Sequence, residues 1–149
     1  MEVPPGSNRG PRVDQYIRAT GLDPADGPPW CVCFIYWCFQ KAAVDLGQPN
    51  PLPKTASVLD LWDKSARFAR LRLASGEASA APESVRPGMI FFIDTGGGKG
   101  HAGLVASCSG RSLVTVEGNT NGGGSREGVG VFRRTSRSID SINLGFALY

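Results

Sequence analysis

Apolar residues recur at helical spacing in the first part of the chain and in short, alternating runs in the second. Between residues 10 and 20, Val13, Tyr16 and Ile17 fall on one side of a short helix that Gly21 ends. Asp23 to Pro29 is rich in turn residues. Pro28 and Pro29 suit the entrance of a helix, where the missing amide hydrogens would have no partner in any case. The next helix is predicted from Trp30 to Leu46, stopped by Gly47, with Cys31, Phe34, Ile35, Cys38, Ala42 and Leu46 forming its stripe. Val32, Tyr36, Trp37 and Phe39 make the opposite side apolar as well, which predicts burial nearly all round in the N-terminal half.

A proline-rich loop, GQPNPLPKT, leads to a short helix around residues 57–64. A strand at 68–73 and an Ala/Ser-rich loop to Pro87-Gly88 follow. From there the pattern is β: strands at 89–93, 101–107, 112–117, 129–133 and 142–148, separated by turn signals. Helices first and antiparallel strands after predict an α+β domain, with N-terminal helices packed on a sheet of five to six antiparallel strands. There is no internal repeat.

Length changes the picture only by bounding it: 149 residues suit one domain with a real core, so residues 1–149 are read as a single domain. Gly 20 and Pro 11 indicate many turns and long loops. The net charge is +3, and Arg111, Arg126, Arg133, Arg134 and Arg137 crowd the last third. They form either a basic face for an anionic polymer or scattered solvated charges. No run interleaves basic and aromatic residues as nucleic-acid motifs do, so nucleic acid is not an expected partner. MEVPPGSNRG lacks the apolar segment of a signal peptide, and the longest apolar stretch, 31–39, is too short to span a bilayer. The expectation is synthesis in a cytoplasm without membrane insertion, or a domain cut from a longer chain.

The four cysteines do not read as disulfides or as a zinc site. Cys31, Cys33 and Cys38 share one helix, where disulfide geometry is hard to reach, and a single histidine fails the usual zinc spacings. Cys33, Cys38 and Cys108 are expected to be small buried hydrophobes. Cys31 differs because it opens a helix. The unpaired amides there favour a thiolate and can hold a developing oxyanion, and an imidazole can complete a nucleophile–base pair.

The only histidine, His101, lies at a predicted strand start in Gly100-His101-Ala102-Gly103, with Val116-Glu117-Gly118-Asn119 on the next strand. A three-residue turn at Cys108-Ser109-Gly110, with Gly110 left-handed, would set His101 directly across from Glu117 on one face. A two-residue turn at Ser109-Gly110 would put them on opposite faces. Asn119 is the rival orienter, sharing the face of Glu117 if the strand continues. Trp30 either lines a groove or caps the core. The glycine-rich runs 94–100 and 118–124, including Gly100 and Gly118, either admit an extended substrate or relieve turn strain. GGGKG lacks the phosphate-loop pattern.

Taken in order, EVPPGSNRGPRVDQYI, PPWCVCF, VRPGMIFFID, GHAGLV, VEGNTN and REGVGVFRR resemble the CHAP family, cysteine, histidine-dependent amidohydrolases/peptidases of the papain-like superfamily. The resemblance implies a papain-like α+β fold, a nucleophile at Cys31, a base at His101 and an orienter at Glu117, with Asn119 nearby. It also implies cleavage of amide bonds in bacterial peptidoglycan, as an N-acetylmuramoyl-L-alanine amidase or as an endopeptidase on stem peptides or cross-bridges. A phage lysin or a secreted effector acting on the cell wall after release, monomeric, with a cognate immunity or inhibitor protein, fits that implication. No cofactor is expected. Calcium, which some members bind before the cysteine, would find only Asp23 and Asp26 here. The alternatives are a protease, transamidase or deamidase toxin acting on proteins, and a non-catalytic wall-binding module.

Overall fold

The computed structural model describes residues 1–122 and 128–149, which gather into two compact units. One comprises Met1–Ala56 and Gly118–Phe132, the other Ser57–Glu117 and Arg133–Tyr149.

In the first unit, α1 (Pro11–Ala19) and α2 (Cys31–Asp45) are the main elements. Val13 and Ile17 are the buried positions of α1, as their spacing predicts. The first five residues of α2, Cys31 to Ile35, are all buried, whereas Val44 near its end is exposed. Tyr16 of α1 knits the helices together by stacking on Trp30, with ring centroids 5.7 Å apart, and by meeting Phe34 and Trp37 edge-on. Such pairs add about 0.5–1.5 kcal/mol each beyond the area they bury. The Trp30 indole N–H donates to Glu2 Oε1 over 2.9 Å, and the Glu2 amide donates to Val129 O. The N-terminal segment is thereby tied to the residue that precedes Cys31.

The second unit begins with α3 (Val58–Phe68), capped by Ser57, whose hydroxyl accepts from the Asp60 amide. It continues through β1 (Leu71–Ala74), α4 (Ser75–Ala80), β2 (Ile90–Gly96), β3 (Lys99–Ser109), β4 (Ser112–Thr120), β5 (Gly130–Ser138) and β6 (Gly145–Leu148); β4 and β5 each include residues of the first unit. The six strands form one sheet in the order β1-β6-β2-β3-β4-β5. β2 shows why the sheet has two covered faces. Ile90 and Phe92 point to α3, where Trp62 lies on Phe92 with centroids 5.3 Å apart. Phe91 points the other way and joins Met89, Val105, Leu113, Ile139, Ile142 and Phe146 in the main core.

The α+β class and the antiparallel sheet agree with the sequence reading, with several local differences. The helix expected at 57–64 extends to Phe68, and the strand expected at 68–73 is Leu71–Ala74. The Ala/Ser-rich loop contains α4, whose start is held by Glu77 accepting from the Ala74 amide over 2.7 Å while Ala78 is buried. The last strand, expected from 142, starts at Gly145, and residues 139–141 before it form a single helical turn.

The β3–β4 hairpin departs most from expectation. Ser109 pairs with Ser112, so the turn is Gly110-Arg111 and not the three-residue one. Gly110 is left-handed, at φ 56°, as expected. That turn alone would have reversed the facing of His101 and Glu117. A bulge between Val105 and Ser107 inserts Ala106 and restores the parity, so Val105 pairs with Thr115 and Leu104 with Val116. Continuing this register sets Gly103, not His101, opposite Glu117.

Candidate active site

His101 and Glu117 lie on β3 and β4 of the sheet. Pairing of Ile93 with His101 and of Phe91 with Gly103 places His101 on the face of Phe91, away from α3. Thr115 and Glu117 share that face, since Thr115 pairs with Val105 on the adjoining strand. His101 Nε2 lies 2.8 Å from Glu117 Oε2, with both side chains buried. The contact is diagonal across the ladder and requires a small residue between them. At Gly103 a Cβ would come within 2.7 Å of Glu117 Cγ and 2.6 Å of Phe91 Cε1.

Among the described residues, Glu117 receives three further hydrogen bonds. The Thr115 hydroxyl donates to Oε1 over 2.5 Å; Arg137 Nε donates to Oε1 and Nη2 to Oε2, each over 2.7 Å. Arg134 Nη1 stands farther off, 3.9 Å from Oε2. Burial pushes the Glu117 carboxyl up, but the bonds from His101, Arg137 and Thr115 and the Arg137 charge outweigh it, bringing it down to about 2. An ionised carboxylate only accepts, so the hydrogen of this pair sits on His101 Nε2. Proton exchange with any reacting group would then run through Nδ1.

Cys31 belongs to the first unit. Cys31 is the first residue of α2, follows the helix-capping Trp30, is buried and is not in a disulfide. Of the cysteines expected to be buried, Cys33 is, whereas Cys38 and Cys108 are only half-buried. Burial raises Cys33 and Cys38 to about 11 each and raises Cys108 as well. Cys33 Sγ also lies 3.4 Å from Thr20 Oγ1.

The accessory residues resolve unevenly. Glu117 holds the imidazole. Asn119, the rival orienter, belongs to the first unit, has a left-handed backbone at φ 55°, and its buried Oδ1 has no hydrogen-bond partner among the described residues. Trp30 is wholly buried, so it packs in the core and does not line an open groove. Gly118 is a packing glycine: a Cβ there would come within 2.7 Å of Phe34 Cβ. Gly100 is likewise needed by packing, with Val58 Cγ1 2.7 Å from its would-be Cβ. The 94–100 run closes as a tight hairpin in which Gly96, Gly97 and Gly98 all take positive φ, the turn-relief reading. Of the 118–124 run, Gly118 to Thr120 belong to β4. Residues 123–127, and Arg126 with them, lie outside the described residues.

The expectation of a basic face loses two members. Arg111 is bound to Asp140 and to Ser79 O, and Arg137 to Glu117. Arg137 and Thr115 are the site residues that the sequence reading missed. The alternation along 112–117 could have flagged Thr115, two residues before Glu117 and on its face. Among the described residues no three His, Cys, Asp or Glu side chains group closely enough to hold a metal, and Asp23 Oδ1 accepts from the Ala25 amide. No described helix is long and apolar enough to cross a membrane.

A family model described as CHAP domain matches residues 23–119, more than half of the chain. The chain matches none of the curated proteins and none of the solved structures with which it was compared.

Proposed function

This chain belongs to the CHAP domain family, whose members are amidase and peptidase hydrolases, and from that premise we propose that it is a cysteine amidohydrolase acting on bacterial peptidoglycan. Cys31 is the nucleophile, His101 its base and Glu117 the orienter. The observation that carries the reading is the buried His101–Glu117 pair at 2.8 Å, which fixes one tautomer of the only histidine. A buried imidazole so oriented is the partner that a helix-opening thiol needs to become a thiolate.

In the reaction, the Cys31 proton passes to His101 Nδ1 and the thiolate attacks the amide carbonyl carbon. The oxyanion is held by backbone amides at the start of α2, and Glu117 stabilises the imidazolium. Nδ1 then protonates the leaving nitrogen, the C–N bond breaks, and a thioester remains on Cys31. Water, giving a proton to His101, attacks the thioester. The acid leaves, and the proton returns to sulfur.

Purified peptidoglycan treated with the protein is expected to release fragments with new amino termini, and folded Cys31→Ala to release none. Mass spectrometry separates the amidase from the endopeptidase outcome, because cuts at muramic acid and within stem peptides leave different ends. Unchanged peptidoglycan beside a cleaved or deamidated protein substrate would replace this reading with a protein-directed toxin. Saturable binding with no fragments would replace it with a wall-binding module.

A further inference from the structure

Arg137 lies on β5, outside the residues that the family model matches, and its side chain is only 9% exposed. It forks both oxygens of Glu117 and lies over the Phe91 ring, 4.8 Å from the centroid. Phe91 in turn is tilted against His101, with centroids 6.0 Å apart. One guanidinium thus touches the orienting carboxylate directly and the imidazole through a shared ring. Counting Thr115 and His101, four donors fill the carboxylate's four lone-pair directions, which fixes its plane.

We propose that Arg137 is a positioning residue that locks the Glu117 carboxylate and, by competing for Oε2, limits how strongly that carboxylate holds a proton on His101. A lone buried carboxylate beside an imidazole would favour the imidazolium strongly and keep the base protonated. A cation sharing the same oxygen cancels part of that pull, so the imidazole releases its proton more readily. Among the described contacts of the pair, Arg137 is the cation that forks the carboxylate. β2 presents Phe91 and Ile93 on this face, and Arg134, a further cation among the described residues, stands 3.9 Å from Oε2 without a fork.

This inference rests on the assignment of His101 as base, yet its test needs no substrate. His101 is the only histidine, so its imidazole resonances can be titrated by NMR without assignment ambiguity. Arg137→Met keeps an apolar stem on Phe91 and removes the charge. The His101 midpoint should rise by about one pH unit or more, and an unchanged or lowered midpoint overturns the proposal. Arg137→Lys keeps the charge and at most one of the two bonds. Its midpoint should stay within about 0.3 pH units of wild type, and a larger move overturns the proposal by itself, even if the Met variant does not fold. Repeating the titration in Cys31→Ala separates the two claims: a midpoint blind to Cys31 counts against the thiol–imidazole pairing, and one blind to Arg137 against this inference.

Discussion

His101 and Glu117 meet diagonally across the β3–β4 ladder, with Nε2 and Oε2 2.8 Å apart over the bare backbone of Gly103. The contact depends on two compensating features: a turn at Gly110-Arg111 that shifts the register and the bulge at Ala106 that shifts the facing back. Gly103 is therefore as much a part of the site as the residues that do chemistry.

Gly103→Ala should cost about 1–3 kcal/mol of stability, because its methyl meets Phe91 and Glu117 and one of them must move. Activity should fall further than the loss of folded protein explains, since the imidazole loses its alignment. Urea denaturation alongside turnover per folded molecule checks this. A variant with wild-type activity would show that the diagonal contact tolerates displacement.

Glu117 ties acid sensitivity to the site. Its folded value of about 2 lies below the ordinary 4.5, so its contribution is fully present above about 4.5 and is lost as the pH falls toward 2. That contribution is at most about 3 kcal/mol. The stability gap between wild type and Glu117→Gln, measured in urea, should be wide at neutral pH and narrow steadily below pH ~4.5. A gap independent of pH would contradict it. Glu117→Ala should be the more damaging change, at about 3–5 kcal/mol, because it strands the Arg137 guanidinium with no carboxylate.

Cys38 and Cys108 should be dispensable. Burial holds both thiols protonated, Cys38 at about 11, so neither is a nucleophile at neutral pH. Cys38→Ser and Cys108→Ser should keep activity within about twofold of wild type. Hydrolysis assays on the two single variants decide it, and loss of activity in a folded Cys38→Ser protein would reopen the choice of nucleophile.

Much of this architecture was legible in the chain. α1 follows from an apolar stripe closed by Gly21, α2 from the apolar run before Gly47, and the strands from alternation between turn residues; the stripe expected on α2 fails at Ala42 and Leu46, which are exposed, while Ala43 is buried. Cys31, His101 and Glu117 stood out because each residue type has chemical reason to occupy its place. What escaped was set by tertiary contact. α4 is too short to show a period and depends on a local carboxylate bond to Ala74. The turn, expected at Cys108-Ser109-Gly110, lies at Gly110-Arg111, and the bulge that rescues the facing has no marker in VASCSG. Arg137 looked like one more surface arginine in RRTSR, since its burial follows from the buried acid it forks. Trp30 was left between a groove and the core, and Gly118 between substrate access and turn relief; the packing of Tyr16 and Phe34 claims them.

The central claim, that the Cys31 thiol and the His101 imidazole work as one ionised pair, is tested most directly by the pH dependence of Cys31 alkylation, followed by mass spectrometry in wild type and in His101→Asn. The account predicts that removing the imidazole in His101→Asn changes the pH profile of Cys31 alkylation by iodoacetamide and slows the reaction at neutral pH. Identical pH profiles in the two proteins would contradict it.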